Sequence, residues 1–218
     1  MRTARSSFVT LALVLVTVML ASAAKDFVMP RPQPASQYPA HDAHPAEKVT
    51  IAVDPYDMAD KAAIFRGEYL ENDLVPMFLV ITNDGDQPVS LASMKLQLVT
   101  RDRAKASPAT EDDLYRRLTT TRRIQDDARG AQRIPLPLPK KPKRAVSKEV
   151  SAEIEAAQFR ARAVEPHGTQ AGFIFFDVGD LRNPMAGAHL YITGVRDGQG
   201  NELMYFEIPL EKYLTGGK

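Results

Sequence analysis

The chain has 218 residues, of which 44% are hydrophobic and 25% charged, and its formal net charge is +1. This average composition excludes a disordered polyampholyte, a collagen-like repeat and a multi-pass membrane protein. The absence of cysteine excludes disulfides, thiol catalysis and cysteine-ligated zinc or iron–sulfur centres. The length suits one domain, alone or with appendages.

The first 24 residues have the layout of a secretory signal peptide. Arg2 and Arg5 form a positive n-region, residues 8–20 are an uncharged apolar run, and the small residues 21–23 follow. Cleavage after Ala23 or Ala24 removes both arginines and leaves a net charge of −1. An uncleaved anchor is the alternative, but a membrane span needs about 20 apolar residues. We therefore expect an exported protein, periplasmic or extracellular, with no transmembrane span after signal removal.

Five of the chain's 16 prolines fall within residues 25–46. This density predicts an extended, Pro-rich leader in front of the domain. Strand patterns begin at Val49, with period-two alternation over residues 49–53. A short helix is expected over residues 59–65, capped by Asp57. Residues 74–81 form a nearly continuous apolar run, which indicates a central strand buried on both faces.

The remaining elements predict a strand-rich domain that is interrupted once. Two helices are expected, one capped by Thr110 and running to Leu118, the other capped by Ser147 and running towards Ala161. Between them, prolines at alternate positions from 135 to 139 exclude helix and central strand alike. Further strands are predicted at residues 89–91, 94–100, 171–178, 188–195 and 203–208, with turns at 83–88 and 197–201.

We therefore predict a mainly β fold. About seven strands over residues 47–214 are typical of an immunoglobulin-like β-sandwich. A two-helix, Pro-rich basic insertion is expected to interrupt it at about residues 105–162. Two stretches then carry a family resemblance. The apolar strand and turn of residues 74–89, ending Asn-Asp-Gly-Asp-Gln-Pro-Val, and the strand entry of residues 166–176, Pro-His-Gly-Thr-Gln-Ala-Gly-Phe-Ile-Phe-Phe, resemble exported bacterial immunoglobulin-like domains of uncharacterised function. The resemblance implies fold and compartment, and its motifs carry no catalytic residue.

Charge is distributed unevenly along the chain. Residues 114–148 hold eleven basic and two acidic side chains, a net charge of +9, whereas residues 42–113 carry −7 and residues 149–218 carry −4. Such a segment steers an acidic partner to one part of the molecule. The alternative is a solvated loop that offsets an acidic body. We take as candidate partner-binding residues Arg116, Arg117, Arg122, Arg123, Lys140, Lys141, Lys143 and Arg144.

The partner is expected to be an envelope protein or an anionic surface polymer. Tyr115 is the one aromatic residue of the basic segment, which is too few for stacking on single-stranded nucleic acid. The alternating prolines of residues 135–139 have the pattern of a polyproline II ligand, which needs an aromatic-lined groove as its receptor. A stiff spacer is the alternative interpretation of this run.

No nucleophile elbow, zincin or phosphate-loop motif occurs, so we predict no catalytic residue and no cofactor. His41 and His44 are three residues apart but lie in the Pro-rich leader, where a helix is not expected. Methionine thioethers suit copper(I), which makes Met77, Met94, Met185 and Met204 candidates. All of these except the loop residue Met185, however, fall on predicted strands with core patterns. We predict no metal site and favour a non-enzymatic binding or structural module. The alternative is a small envelope hydrolase or a copper- or zinc-handling protein.

Overall fold

The computed structural model describes residues 27–119 and 146–211. These residues contain three α-helices, α1 (Ala59–Ala62), α2 (111–119) and α3 (Lys148–Ala157). They also contain ten strands, which makes the fold mainly β, as predicted. The strands are β1 (His41–His44), β2 (Val49–Pro55), β3 (Leu74–Asn83), β4 (Val89–Ser90), β5 (Lys95–Val99), β6 (Lys105–Ala106), β7 (Ala163–Val164), β8 (Gly168–Asp177), β9 (His189–Thr193) and β10 (Phe206–Pro209).

The strands form two four-stranded antiparallel sheets and a small ribbon. Sheet I has the order β1-β2-β3-β8, sheet II the order β10-β9-β5-β6, and β4 pairs with β7. The longest pairing joins β3 to β8 over ten residues, from Leu74 opposite Asp177 to Asn83 opposite Gly168.

Sheet I lies between sheet II and the helices. One of its faces packs Met77 into a core shared with Leu190 of sheet II. Its opposite face packs Phe78 into a second core shared with Leu114 of α2 and Ile154 of α3. All ten residues of β3 are therefore buried, which confirms the predicted central strand.

Pro76 sits inside this central strand, a position that proline normally avoids because it cannot donate to a ladder. The pairing of β2 with β3 ends at Pro55 opposite Met77, so Pro76 lies one residue beyond the end of that ladder. Its carbonyl still accepts a hydrogen bond from the backbone N–H of Tyr56 at 2.8 Å. The missing donor therefore costs no rung of the ladder between β2 and β3.

The two longer helices begin where the sequence predicts. At α2, the backbone N–H of Asp113 donates to Thr110 Oγ1 and that of Thr110 donates to Asp113 Oδ2, both at 3.2 Å. At α3, Ser147 Oγ accepts from the backbone N–H of Val150 at 3.3 Å. The predicted cap Asp57 is wrong, because α1 begins after Met58, without a side-chain cap bond.

Helix α3 ends earlier than predicted because the following residues run alongside β8. The backbone N–H of Phe159 donates to the carbonyl of Phe173 at 2.9 Å, and Gln158 bridges the same residue. A Cβ on Gly172 would lie 2.6 Å from the Phe159 Cα, so the close approach requires glycine at this position.

The folded domain begins earlier than the predicted residue 47. Strand β1 pairs with β2 at the edge of sheet I, and Ala35 and Ala40 are fully buried. Phe27 stacks on Phe65 with ring centroids 5.4 Å apart. The prolines of the leader flank an edge strand, a position that sheets tolerate, so their density did not indicate a detached linker.

Two other boundaries also differ. The predicted strand over 203–208 is shifted to β10, which leaves Met204 and Tyr205 outside the strand and 69% and 50% exposed. The core pattern assigned to Met204 is therefore wrong. The predicted insertion starts inside sheet II, where residues 105–106 form β6, and its helices share the second core with sheet I.

Within residues 27–119 and 146–211, no helix combines the length and the apolar character that a membrane crossing requires.

Candidate functional site

The structure describes the two ends of the basic segment. Both ends belong to the helical layer on sheet I: Leu114 and Leu118 of α2 and Ile154 of α3 are buried there, and Val146 packs against the same core. Leu118 and Val146, which flank the part of the segment outside the described residues, therefore lie in the same layer. The predicted partner-binding residues that lie outside the described ranges are Arg122, Arg123, Lys140, Lys141, Lys143 and Arg144.

The two described candidates, Arg116 and Arg117, have different environments. Arg117 donates from both Nε and Nη2 to Asp177 Oδ2, with the Nε bond at 3.0 Å, and its Nη1 lies 4.0 Å from Asp73 Oδ2. The hydrogen bonds to Asp177 raise the pKa of Arg117 above its ordinary value. The Arg116 side chain is 71% exposed and forms an ion pair with Asp113, one turn earlier in α2. Arg117 thus ties α2 to the end of β8, whereas Arg116 is displayed to solvent.

We expect Arg117→Gln to lower the free energy of unfolding by about 1 kcal/mol, the upper range for a pair that is one-third exposed. Arg116→Gln is the matched control, with an expected change of less than about 0.5 kcal/mol. Urea unfolding followed by circular dichroism measures both. Equal values for the two variants would contradict a structural role for Arg117.

A second candidate surface lies where β1, β9 and β10 meet. We name it the β10 hollow; its volume is about 370 Å³, and it is lined by Asp42, His44, His189, Met204, Tyr205, Glu207 and Pro209. Tyr191 of β9 adjoins it, with its ring centroid 6.2 Å from that of Tyr205 and the planes tilted by 39°. Tyr191 also lines a neighbouring hollow of about 470 Å³ on the side towards β5.

The polar groups of the β10 hollow centre on Glu207. Its Oε1 accepts from the Tyr191 hydroxyl at 2.6 Å and lies 2.9 Å from His189 Nδ1. The hydrogen bond to Glu207 raises the pKa of Tyr191. The backbone N–H of Glu207 donates to Asp42 Oδ2 at 2.9 Å, so a side chain of sheet I binds the edge strand of sheet II. His44 stacks on Phe206 at 3.9 Å.

The β10 hollow brings histidines and carboxylates together, but they are not arranged to hold a metal ion. Within the described residues, no group of three or more histidines and carboxylates is placed to hold a metal ion. The histidines have separate neighbours: His41 Nδ1 lies 2.6 Å from the Tyr38 carbonyl, and His167 Nε2 lies 3.2 Å from Asp86. His44 Nε2 lies 3.5 Å from Asp42 Oδ2.

Sequence reasoning missed the β10 hollow because its residues come from three separate parts of the chain, near residues 42, 190 and 206. Tyr205 and Met204 lie in a stretch whose apolar character predicts a core strand, which concealed their exposure.

No protein-family model matches the chain, and neither the search of curated proteins nor the search of solved structures gives a match. What the protein binds therefore has to be inferred from its own residues.

Proposed function

We propose that this protein is an exported, non-enzymatic binding module of the cell envelope, built as an immunoglobulin-like β-sandwich. Its basic segment, residues 114–148, docks an acidic partner. Two features support the fold part of the proposal: two antiparallel sheets share one core, and the stretches at residues 74–89 and 166–176 resemble exported domains of that kind. The apolar run and small residues of 8–23 support export.

The charge distribution carries the binding part. A net charge of +9 is concentrated in 35 residues that join two helices packed on one sheet face, while the sequence on either side is acidic. Concentrated like charge attracts an oppositely charged surface over roughly a Debye length, about 8 Å at physiological salt. Repulsion among these basic side chains is relieved when an acidic partner, or the acidic remainder of the domain, lies close to them.

Among residues 27–119 and 146–211, the arrangement of carboxylates does not favour a hydrolase. The carboxylates that adjoin the basic segment stabilise the fold, since Asp113 Oδ2 accepts a hydrogen bond from the backbone N–H of Thr110 and Asp177 Oδ2 accepts one from Arg117. Glu153, the buried carboxylate of α3, accepts three hydrogen bonds from its neighbours.

The test compares two fourfold variants with the same loss of charge. In the first, Lys140, Lys141, Lys143 and Arg144 are changed to Gln. In the control, the exposed basic residues Arg101, Arg103, Lys105 and Arg162 are changed to Gln. Binding to immobilised poly-L-glutamate and to phosphatidylglycerol vesicles is measured at low and at physiological salt.

We expect the first variant to lose about tenfold or more in affinity for poly-L-glutamate and the control to lose much less, because only the first removes charge from the basic segment. Added salt is expected to weaken wild-type binding by screening. Equal losses in both variants would mean that net charge alone acts. Unchanged binding in the first variant would mean that the segment is a solvated loop.

A further inference from the structure

We propose that the β10 hollow binds an arginine side chain of a partner protein. The guanidinium group bonds to the carboxylates of the hollow and stacks on its tyrosine rings. This inference goes beyond the proposed function, because it concerns a different surface of opposite charge and uses no residue of the basic segment.

The carboxylates of the hollow have no lysine or arginine as a partner among the described residues. The side chains of Glu207 and Asp42 are 36% and 29% exposed, and their ion-pair partners are His189 and His44. The described residues that line the hollow include neither lysine nor arginine. Two partly buried carboxylates are thus paired only with side chains that are uncharged when deprotonated.

A third carboxylate adds to the negative charge of this surface. Glu47 adjoins the hollow, with its Oε2 3.6 Å from His44 Nδ1. Lys48 follows it in the chain, but this cation pairs with Asp86, 3.3 Å away. With its histidines neutral, the hollow therefore carries negative charge that a bound cation complements, and such a cation relieves the repulsion between its carboxylates.

One oxygen of each lining carboxylate has no hydrogen-bond donor among the described residues. Asp42 Oδ2 accepts from the backbone N–H of Glu207 at 2.9 Å, and Glu207 Oε1 accepts from the Tyr191 hydroxyl at 2.6 Å. No bond of this kind reaches Asp42 Oδ1 or Glu207 Oε2 from the described part of the chain. Two strands, β1 and β10, thus each present an acceptor to the same hollow.

The hollow also has exposed aromatic and thioether side chains. Tyr205 is 50% exposed, and its ring centroid lies 6.2 Å from that of Tyr191. Met204 beside it is 69% exposed. A guanidinium group is attracted to a tyrosine face within about 6 Å of the ring centroid. Tyrosine and methionine are enriched at protein interfaces, so these features favour a side chain on a partner's surface over a free small cation.

The domain binds one of its own cations with the same combination of groups. Lys61 Nζ donates to Asp54 Oδ1 and lies over the Tyr56 ring, 4.7 Å from its centroid. A carboxylate and a tyrosine face that border one space therefore hold a cation in this fold. The β10 hollow presents the same two groups to solvent.

Arginine is favoured over lysine because the acceptors come from two strands. Asp42 lies in β1 and Glu207 in β10. The N–H groups of a guanidinium point outward in one plane, so it bonds to more than one carboxylate while its face rests on a tyrosine ring. An ammonium is a point charge with no plane to stack. A lysine side chain is therefore expected to bind more weakly.

The direct test titrates three blocked peptides into the isotopically labelled chain and follows the backbone amide resonances by NMR. The peptides are Gly-Gly-Arg-Gly-Gly and its lysine and citrulline counterparts, citrulline being the neutral isostere of arginine. We expect the arginine peptide to shift the amides of Tyr205 and Glu207 to saturation. The lysine peptide is expected to bind several-fold more weakly, and the citrulline peptide about tenfold or more weakly, because it keeps the shape and loses the charge.

Two variants locate the site. Tyr205→Ala removes the exposed ring and is expected to weaken binding of the arginine peptide about tenfold, whereas Met58→Ala, the change of an exposed apolar residue in another segment, leaves it unchanged. Glu207→Gln removes one charge and is expected to weaken binding about tenfold. Its control is Glu155→Gln, which changes a 73% exposed carboxylate of α3. Circular dichroism checks that each variant is folded.

Equal affinity for the arginine and citrulline peptides, or for wild type and Tyr205→Ala, would overturn the inference. Two other results would overturn it by identifying a different occupant. If the arginine peptide bound only the variant with Gln at 140, 141, 143 and 144, the chain's own basic segment would occupy the hollow. If sedimentation velocity showed association that Tyr205→Ala abolishes, a second copy would occupy it. None of these results depends on poly-L-glutamate binding by the basic segment, so each proposal fails separately.

Discussion

Glu153→Ala is expected to lower the free energy of unfolding by about 3 kcal/mol or more, the usual cost of leaving partners of a buried carboxylate unpaired. Glu153 is only 2% exposed. It accepts hydrogen bonds from the backbone N–H groups of Arg66 (2.6 Å) and Gly67 (3.0 Å) and from the hydroxyl of Tyr69 (3.0 Å). Alanine removes all three acceptor contacts and leaves a cavity beside α3.

Urea unfolding monitored by circular dichroism measures this loss. Glu155→Ala is the matched control, because Glu155 lies in the same helix and its side chain is 73% exposed. Its expected change is within about 0.5 kcal/mol. Tyr69→Phe removes one of the three donors and is expected to cost about 1 kcal/mol. We call these three hydrogen bonds of Glu153, from Arg66, Gly67 and Tyr69, the Glu153 clamp. If Glu153→Ala destabilised the protein no more than Glu155→Ala, the clamp would contribute nothing to stability.

The clamp matters for function because α3 directly follows the basic segment. Burial and the neighbouring Glu153 raise the pKa of Tyr69 far above its ordinary value, so its hydroxyl stays protonated and continues to donate. A Cβ on Gly67 would lie 2.7 Å from the Tyr69 ring and 3.2 Å from Glu153 Oε1, so a larger residue here would displace the groups of this hydrogen-bond cluster. Helix α3 is thereby held to the loop before β3.

Features set by local pattern could be predicted from the sequence. The strands β3 and β8 were predicted because their apolar runs are long, and α2 and α3 because a capping side chain precedes each. These signals arise from neighbouring residues, whose period and hydrogen bonds do not depend on the rest of the chain.

Features set by distant pairing could not be predicted. Strand β1 is four residues long and becomes a strand only because β2 lies beside it. The Glu153 clamp joins residues more than 80 positions apart, and the β10 hollow joins three segments. No local period marks such contacts, since each residue by itself resembles an ordinary helix, turn or core position.

For the charged residues too, the sequence predicts what depends on neighbouring positions but not what depends on distant contacts. A net charge of +1 excludes a uniformly basic protein, and the sequence locates the +9 segment without help from the structure. Only the structure separates Arg117, which is engaged with Asp177, from Arg116, which is exposed.

Phe173→Ala is expected to lower the free energy of unfolding by about 3–5 kcal/mol, the range for truncating a buried phenylalanine. Phe173 lies in β8 and is 1% exposed. Its ring contacts those of Tyr56 and Phe65, each with centroids 4.9 Å away, and that of Phe78 at 5.0 Å. Aromatic pairs add to area burial, so several favourable contacts are lost together.

The variant also tests whether the helices form one folding unit with the sheets. Because Phe173 belongs to the core shared by sheet I, α2 and α3, we expect one cooperative transition at lower urea, with an unchanged slope. Tyr205→Ala deletes an exposed ring and is the control, with an expected change below about 0.5 kcal/mol. A separate early transition in Phe173→Ala, with sheet II still folded, would mean that the helical layer is a detachable insertion after all.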